Sequence, residues 1–183
     1  MTLLLDGLSP LLGATAGLLV AATPYLVRYI RRALADHTQE WHQRLTTILF
    51  MSGAARTLLI QVTWKGRNSV LIDIPAEARL PDLPSVAASW TRRDPGQDYV
   101  DSVLSPLVVH SSHILYPEDM PPGILRDTYV AQKVAQSWVL VTKRDKAGRP
   151  IAIVSANYAT RMEPTSEVRV QVASEVHQIG QTV

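Results

Sequence analysis

The sequence contains no cysteine, few aromatic side chains and no marked excess of charge of either sign. Among its 183 residues, 6% are aromatic with a single Phe, and 18 Lys and Arg stand against 16 Asp and Glu. The lack of cysteine excludes disulfides, thiolate metal sites, cysteine nucleophiles and chromophores linked through cysteine. A net charge of +2 is too small and too evenly spread to favour nucleic-acid binding, so we expect no nucleic-acid partner.

Motifs that carry catalysis are also missing. There is no glycine-rich loop of the kind that cradles phosphate and no G-x-S-x-G nucleophile elbow. Glu118-Asp119 is the only acidic doublet, and between Pro117 and Pro121 we expect it to cap the following helix or to stay solvated. His110 and His113 have a ligand-like spacing, but in an extended segment they point to opposite faces. The sequence therefore predicts no catalytic residue, no metal and no cofactor.

What the sequence does contain is a long uncharged segment near its start. No charged residue occurs from Gly7 to Val27, a length that covers the roughly 30 Å hydrocarbon core of a bilayer as a helix. We interpret residues 1–30 as a transmembrane anchor and the lipid bilayer as a partner. The large apolar side chains expected to contact lipid are Leu8, Leu11, Leu12, Leu18, Leu19, Val20 and Leu26.

The flanks of this segment predict how it sits in the membrane. A cleaved signal peptide would need a basic start, whereas this N-terminus offers Asp6 and no Lys or Arg before the apolar run. Arg28, Arg31 and Arg32 follow the run directly. By the positive-inside rule we expect a single-pass protein of the inner or plasma membrane, with its C-terminal domain in the cytoplasm.

Two further patterns predict self-association. Gly13 and Gly17 form a small-xxx-small pair that lets two anchors approach closely. In a predicted helical stalk, residues 31–52, an apolar seam repeats every three or four residues and comprises Leu34, Trp41, Leu45 and Ile48. We expect a homo-oligomer, and the alternative that this helix lies against its own domain stays open.

Residues 53–183 are expected to form one α+β domain. Thr57–Trp64 and Ser69–Ile74 are β-rich runs joined by a short Gly- and Asn-containing turn, and Trp138–Thr142 and Ile151–Tyr158 flank a second turn. Helices are predicted over 123–136 and after the N-cap residue Thr165, with a Pro-rich loop from Pro75 to Gly96 and a short helix near 99–107. The order of these elements predicts an antiparallel sheet with helices packed on one face.

This arrangement resembles a GAF domain over roughly residues 36–180. The likeness is greatest at 123–158, where a helix precedes SWVLVTKRDKAGRPIAIVSANY, and the first hairpin resembles the family's opening strands. GAF domains are often sensors that hold a ligand between the sheet and the irregular middle segment. The family's bilin-attachment Cys and its cyclic-nucleotide motif are absent here, so no ligand residue is carried over. Trp90, Tyr99 and Tyr116 either line such a pocket or simply close the core.

The sequence leaves two functions open. The first is a membrane-anchored, non-enzymatic interaction or sensory module with a GAF-like domain; since no output domain follows Val183, its signal would leave through association with an unknown protein partner. The alternative is a small membrane-remodelling protein, such as a phage holin or a virion membrane component, because a short chain with one anchor also fits that architecture.

Overall fold

A computed structural model of the chain describes residues 35–90 and 92–183. Residues Glu40–Val183 form one compact unit, to which the description below applies. Within the described residues, no helix has both the length and the apolar composition required to cross a bilayer. The predicted anchor, with Gly13, Gly17 and the leucines expected to face lipid, lies outside them, as does Leu34.

The helices are unevenly distributed along the chain. Helix α1 covers residues 35–52, and three short helices, α2 (Gln97–Tyr99), α3 (Ser105–Val109) and α4 (Ile124–Ala131), lie in the middle of the sequence. A π-helical turn, Val100–Leu104, joins α2 to α3, and 3-10 turns occur at Ala87–Trp90 and Pro117–Asp119. Helix α5, Ser166–Thr182, begins as predicted, since the Thr165 side chain accepts a hydrogen bond from the Val168 amide.

A five-stranded antiparallel sheet occupies the centre of the unit. Its strands are β1 (Arg56–Trp64), β2 (Val70–Arg79), β3 (Ser112–Leu115), β4 (Gln136–Arg144) and β5 (Pro150–Tyr158), in the spatial order β2-β1-β5-β4-β3. Both predicted hairpins, β1–β2 and β4–β5, are confirmed as antiparallel pairs.

Strand β2 corrects the predicted loop, because it continues past Pro75 to Arg79. Proline lacks an amide donor and is tolerated on edge strands and at bulges. β2 is an edge strand, and its pairing with β1 shifts register between Leu59 and Gln61, opposite this proline. The shift also exchanges faces, since Ile74 packs on one side of the sheet and Ala76 on the other.

Helices cover both faces of the sheet, which corrects the prediction that they pack on one face. On one face α2, α3 and α4 bury Tyr99, Leu107 and Leu125 against the sheet. On the other, α1 and α5 bury Leu45 and Val176. The hydrophobic period of a helix shows that it has an apolar face, but it does not show which side of a sheet that face covers.

Candidate functional site

A small cavity lies between the sheet and the short helices of the middle segment. Its volume is about 40 Å³, and we call it the sheet cavity. Apolar side chains of β1 and β2 form one wall, and aromatic and aliphatic side chains of the middle segment form the other. The lining residues are Leu58, Ile60, Ile72, Ile74, Val86, Trp90, Tyr99, Leu125, Thr128, Tyr129, Gln132, Ser155 and Asn157.

The polar part of the sheet cavity comes from β5. Side chains alternate between the two faces of a strand, so Ser155 and Asn157 share the face of the buried Ile153, while Val154 and Ala156 face α1 and α5. Both polar residues are 2% exposed. Two polar residues two positions apart in an otherwise apolar strand are a signal that the sequence analysis overlooked.

Hydrogen bonds connect these polar groups, but two buried polar atoms beside them take no part in the network. The Ser155 hydroxyl donates to Asn157 Oδ1 at 2.9 Å and lies 2.9 Å from the Ser137 hydroxyl, which accepts a bond of 3.4 Å from the Tyr129 hydroxyl. Asn157 Nδ2 and the Tyr99 hydroxyl are buried and find no hydrogen-bond partner among the described residues. Because an unmade buried hydrogen bond costs about 1–3 kcal/mol, a polar group that reached either atom would be stabilised.

The two tyrosines of the cavity are neutral. Burial raises the pKa of Tyr99, and the neighbouring Tyr129 raises it further. Burial also raises the pKa of Tyr129, against the opposing effect of its hydrogen bonds to Ser137 and Ser155. Each side chain therefore offers a hydroxyl at physiological pH and does not act as a base.

A buried ion pair fastens the edge of the sheet cavity. Arg56 Nε lies 3.0 Å from Glu77 Oε1, and their side chains are 3% and 6% exposed. The guanidinium also donates to Gln132 Oε1 at 2.5 Å and to the Pro84 carbonyl at 2.7 Å. Burial lowers the pKa of Arg56, and the charge of Glu77 opposes this.

The carboxylate of this pair holds the segment beside the cavity. Glu77 accepts hydrogen bonds from the Ser85 hydroxyl at 2.5 Å and from the Val86 amide at 3.2 Å. Because Val86 and Gln132 both line the cavity, the ion pair connects β1 and β2 to the segment 80–90 and to the end of α4. We call residues 80–90 the cavity lid.

The structure separates the three aromatic residues proposed as pocket walls. Trp90 and Tyr99 line the sheet cavity and are also part of the buried core. Tyr116 lies elsewhere, with the Arg161 guanidinium 4.4 Å from the centre of its ring.

The acidic doublet does not cap the helix that follows it. Glu118 and Asp119 form a 3-10 turn, and Glu118 makes an exposed ion pair with Arg161. The start of α4 is capped from a distance instead, because the Leu125 amide donates to Asp98 Oδ2 at 3.1 Å. A partner 27 residues away leaves no local sequence signal.

The two histidines with ligand-like spacing lie at the end of a helix and on an edge strand. His110 follows α3, and His113 lies on the edge strand β3. Burial lowers the pKa of His113, and the nearby His110 lowers it further. Among the described residues, no group of three potential metal ligands occurs.

The predicted self-association seam lies largely inside its own domain. Trp41 is 6% exposed, and Leu45 and Ile48 are fully buried against the sheet and α5. The Trp41 indole also donates to the Thr182 hydroxyl at 2.8 Å. The period of the seam thus matches a core-facing helix, the alternative that the sequence had left open.

The comparisons with known proteins give the fold a name. The sequence matches no protein-family model, and no curated protein matches it. Its structure is similar to the blue-light-absorbing form of the PixJ GAF domain from Thermosynechococcus elongatus, with a TM-score of 0.61 and 9% identity over 81% of this chain and 85% of that one.

It is also similar to a bacteriophytochrome from the photosynthetic bacterium R. palustris, with a TM-score of 0.58 and 14% identity over 87% of this chain. The chain spans only 36% of that protein. The photosensory core module of a Stigmatella aurantiaca phytochrome gives a TM-score of 0.56 at 13% identity, over 87% of this chain and 37% of that one. At such identities the likeness concerns the fold alone, and residues 40–183 have the fold of a GAF domain.

Proposed function

We propose that this protein is a membrane-anchored, non-enzymatic sensory module whose sheet cavity binds a small uncharged molecule. The observation that carries the proposal is a pair of buried atoms, Asn157 Nδ2 and the Tyr99 hydroxyl, for which the described residues supply no partner and whose residues line that cavity. The GAF-type fold of the domain supports a sensory role.

The size and charge of the cavity define the ligand. A buried water needs roughly 10–15 Å³, so a volume of about 40 Å³ holds a molecule of about two to four non-hydrogen atoms. The charges of Arg56 and Glu77 at its edge compensate each other. An uncharged molecule with a hydrogen-bond acceptor for Asn157 therefore fits best, and a nucleotide does not fit.

The chemistry of the lining favours binding over catalysis. Its polar groups are hydroxyls and amides, and burial keeps both tyrosines protonated at physiological pH. A general base needs a pKa near the working pH, which these groups do not have.

The central strands offer a route from the cavity to the opposite face. On β1, Leu58 and Ile60 line the cavity, whereas Leu59 packs against α1 and α5. A ligand that displaces β1 or β5 thus acts on both helices, because alternate residues of one strand face the two layers.

The remaining parts of the proposal concern location and partners. Residues 7–27 would hold the protein in an inner or plasma membrane with the GAF-fold domain in the cytoplasm. The output would be association with a second copy of the chain or with another protein.

A thermal-shift experiment with the full chain tests the ligand. Acetamide, acetone, ethanol and urea at low concentration, and acetate as a charged comparison, are added while Tm is recorded. We expect at least one uncharged molecule to raise Tm, because a ligand that binds only the folded state stabilises it by mass action. Asn157→Leu and Tyr99→Phe should remove that rise, and Asn68→Leu on an exposed turn should keep it.

Two results would contradict this part of the proposal. One is the absence of any specific rise in Tm with the uncharged molecules. The other is a rise that persists in both Asn157→Leu and Tyr99→Phe, which would place the binding outside the sheet cavity.

A further inference from the structure

A second and larger concavity lies on the opposite face of the sheet, beside α5. It has a volume of about 670 Å³, within the range of about 300–1,000 Å³ typical of small-molecule sites. We call it the α5 groove. Its floor consists of β3 and β4, and its wall is one flank of α5.

Cross-strand pairs build the floor. Ile114 lies opposite Trp138, and Ser112 lies opposite Leu140. Trp138 and Leu140 are each only 5% exposed, whereas Ile114 is partly buried at the margin of this core. The apolar surface that the floor offers therefore comes chiefly from Ile114, with Ser112 at the outer edge.

The wall follows the period of a helix. Arg169, Ala173 and His177 are each four residues apart on α5 and face the groove. The other flank of the helix is occupied by α1, since Glu175 pairs with Arg44 at 3.0 Å and Thr182 accepts from Trp41. Among the described residues, no helix packs on the groove flank, and the small side chain of Ala173 leaves it open.

Arg169 gives the groove one positive charge. Among the described residues, the lining contains Arg169 and His177 and no Asp or Glu. The Arg169 Nε donates to the Pro164 carbonyl at 3.0 Å, which fixes the guanidinium. Its ion pair with Glu163 at 3.2 Å involves a carboxylate that is 88% exposed, and such a pair contributes little to stability. A ligand carboxylate can therefore replace Glu163 at small cost.

Thr142 also lines the groove, but its hydroxyl is itself buried and, among the described residues, finds no hydrogen-bond partner. Because the hydroxyl has no exposed surface, it does not face the open groove, and we assign it no role in recognition. His113 also contributes to the lining, but it alternates with Ser112 and Ile114 along β3, so we assign it no role in recognition.

From these features we infer that the α5 groove binds an amphipathic carboxylate, with its apolar body against Ile114 and Ala173 and its anionic head toward Arg169. The shared chemistry fits both free aromatic acids and acyl-chain acids. The site lies on the other side of the sheet from the sheet cavity and does not depend on the proposed function.

Isothermal titration calorimetry of the full chain tests the inference with 2-naphthoate and its neutral counterpart, 2-naphthamide. We expect 2-naphthoate to bind at least about tenfold more tightly, because a charge-assisted hydrogen bond to arginine is roughly twice as strong as a neutral one. Decanoate serves as the acyl-chain arm: tighter binding of decanoate would assign the site to acyl acids, and tighter binding of 2-naphthoate to aromatic ones.

Variants locate the binding. Arg169→Gln should abolish the preference for the anion, whereas Lys146→Gln, which removes an equal charge from an exposed turn, should not. Ala173→Trp fills the groove and should abolish binding, while Ser174→Trp, its exposed neighbour on α5, should leave binding intact. Asn157→Leu should also leave it intact, which separates this site from the sheet cavity.

Three results would overturn the inference. These are equal affinity for naphthoate and naphthamide, binding that survives Ala173→Trp, and no detectable binding of either carboxylate.

Discussion

The buried pair of Arg56 and Glu77 holds the cavity lid in place. Removing one partner leaves the other charge buried and uncompensated, which costs about 3–5 kcal/mol. We therefore expect Glu77→Gln to lower the free energy of unfolding by several kcal/mol, as measured by urea denaturation.

Two controls test whether the loss comes from the buried charge. Glu163→Gln breaks the exposed pair with Arg169 and should change stability by less than about 1 kcal/mol. The double variant Arg56→Met, Glu77→Leu should recover part of the loss, because apolar residues of similar size often replace a buried ion pair well. A Glu77→Gln protein with unchanged stability would show that the pair does not hold the lid.

His113 gives the domain a predicted sensitivity to acid. Its pKa is lowered in the folded state, first by burial and then by His110. Between that lowered value and the ordinary pKa of about 6.5, the unfolded chain binds more protons than the folded one, so stability falls as the pH is lowered through this window. Below the window both states are protonated, and His113 causes no further loss.

The measurement compares urea midpoints at neutral pH and near pH 5. The fall in the midpoint on acidification should be smaller in His113→Gln than in the unchanged protein. The effect is modest because the side chain is only half-buried, and an identical fall in both proteins would assign the acid sensitivity to other groups.

At the scale of elements, α5 is pressed against β4 at a glycine. A Cβ at Gly180 would lie well inside van der Waals contact with the Thr142 carbonyl oxygen. In an exposed helix, replacing Gly by Ala stabilises by up to about 1 kcal/mol. Here the sign should reverse, because the backbone of β4 or of α5 has to move.

Gly180→Ala should therefore lower Tm, as measured by circular dichroism. Gly66→Ala is the matched control, since nothing lies within 4 Å of a Cβ at that position. A Gly180→Ala protein that is as stable as the unchanged chain would show that α5 is free to shift on the sheet.

Some elements of this fold can be predicted from the sequence and others cannot. The two hairpins were predictable because alternating apolar runs and a turn lie close together in the chain. Strand β3 was not, since Ser112–Leu115 is only four residues long and half polar, and it is a strand because β4 pairs with it. The polar part of the sheet cavity was not predictable either, because Asn157 on β5 and Tyr99 on α2 become neighbours only after folding.

At the scale of the whole molecule, the sheet separates two candidate binding sites. The sheet cavity is small and its lining has no charged side chain, whereas the α5 groove is large and has Arg169 on its wall. Helix α5 borders the groove and also packs on the strands that floor the cavity. Periodicity predicted the two hairpins and the terminal helix, but it predicted neither the side of the sheet that each helix covers nor the two sites, because these depend on which residues become neighbours after folding.

Membrane attachment is predicted from residues 7–27. The full chain should fractionate with membranes and resist extraction by alkaline carbonate, because a spanning helix is held by its apolar surface and not by charge. A chain that begins near Arg31 should be released in the same procedure. Extraction of the full chain by carbonate would contradict the anchor.

Self-association is predicted for the full chain, and the structure changes which residues can test it. Trp41, Leu45 and Ile48 are committed to the core of their own domain, so Leu45→Asp should unfold the protein instead of dissociating it. The contact between copies must then come from residues outside the buried part of α1, among which Gly13 and Gly17 permit close approach of two parallel anchors.

Multi-angle light scattering in detergent should show homo-oligomers of the full chain. Replacing both Gly13 and Gly17 by Leu should shift them toward monomers without changing the Tm of the domain, because bulky side chains hold the two backbones apart. The matched control replaces Thr15 and Ala22 by Leu, which adds bulk at positions off the four-residue spacing of Gly13 and Gly17. All anchors enter one membrane in the same direction, so they already have the orientation that a symmetric pair requires. If the unchanged chain is nevertheless a monomer at tens of micromolar, self-association is refuted.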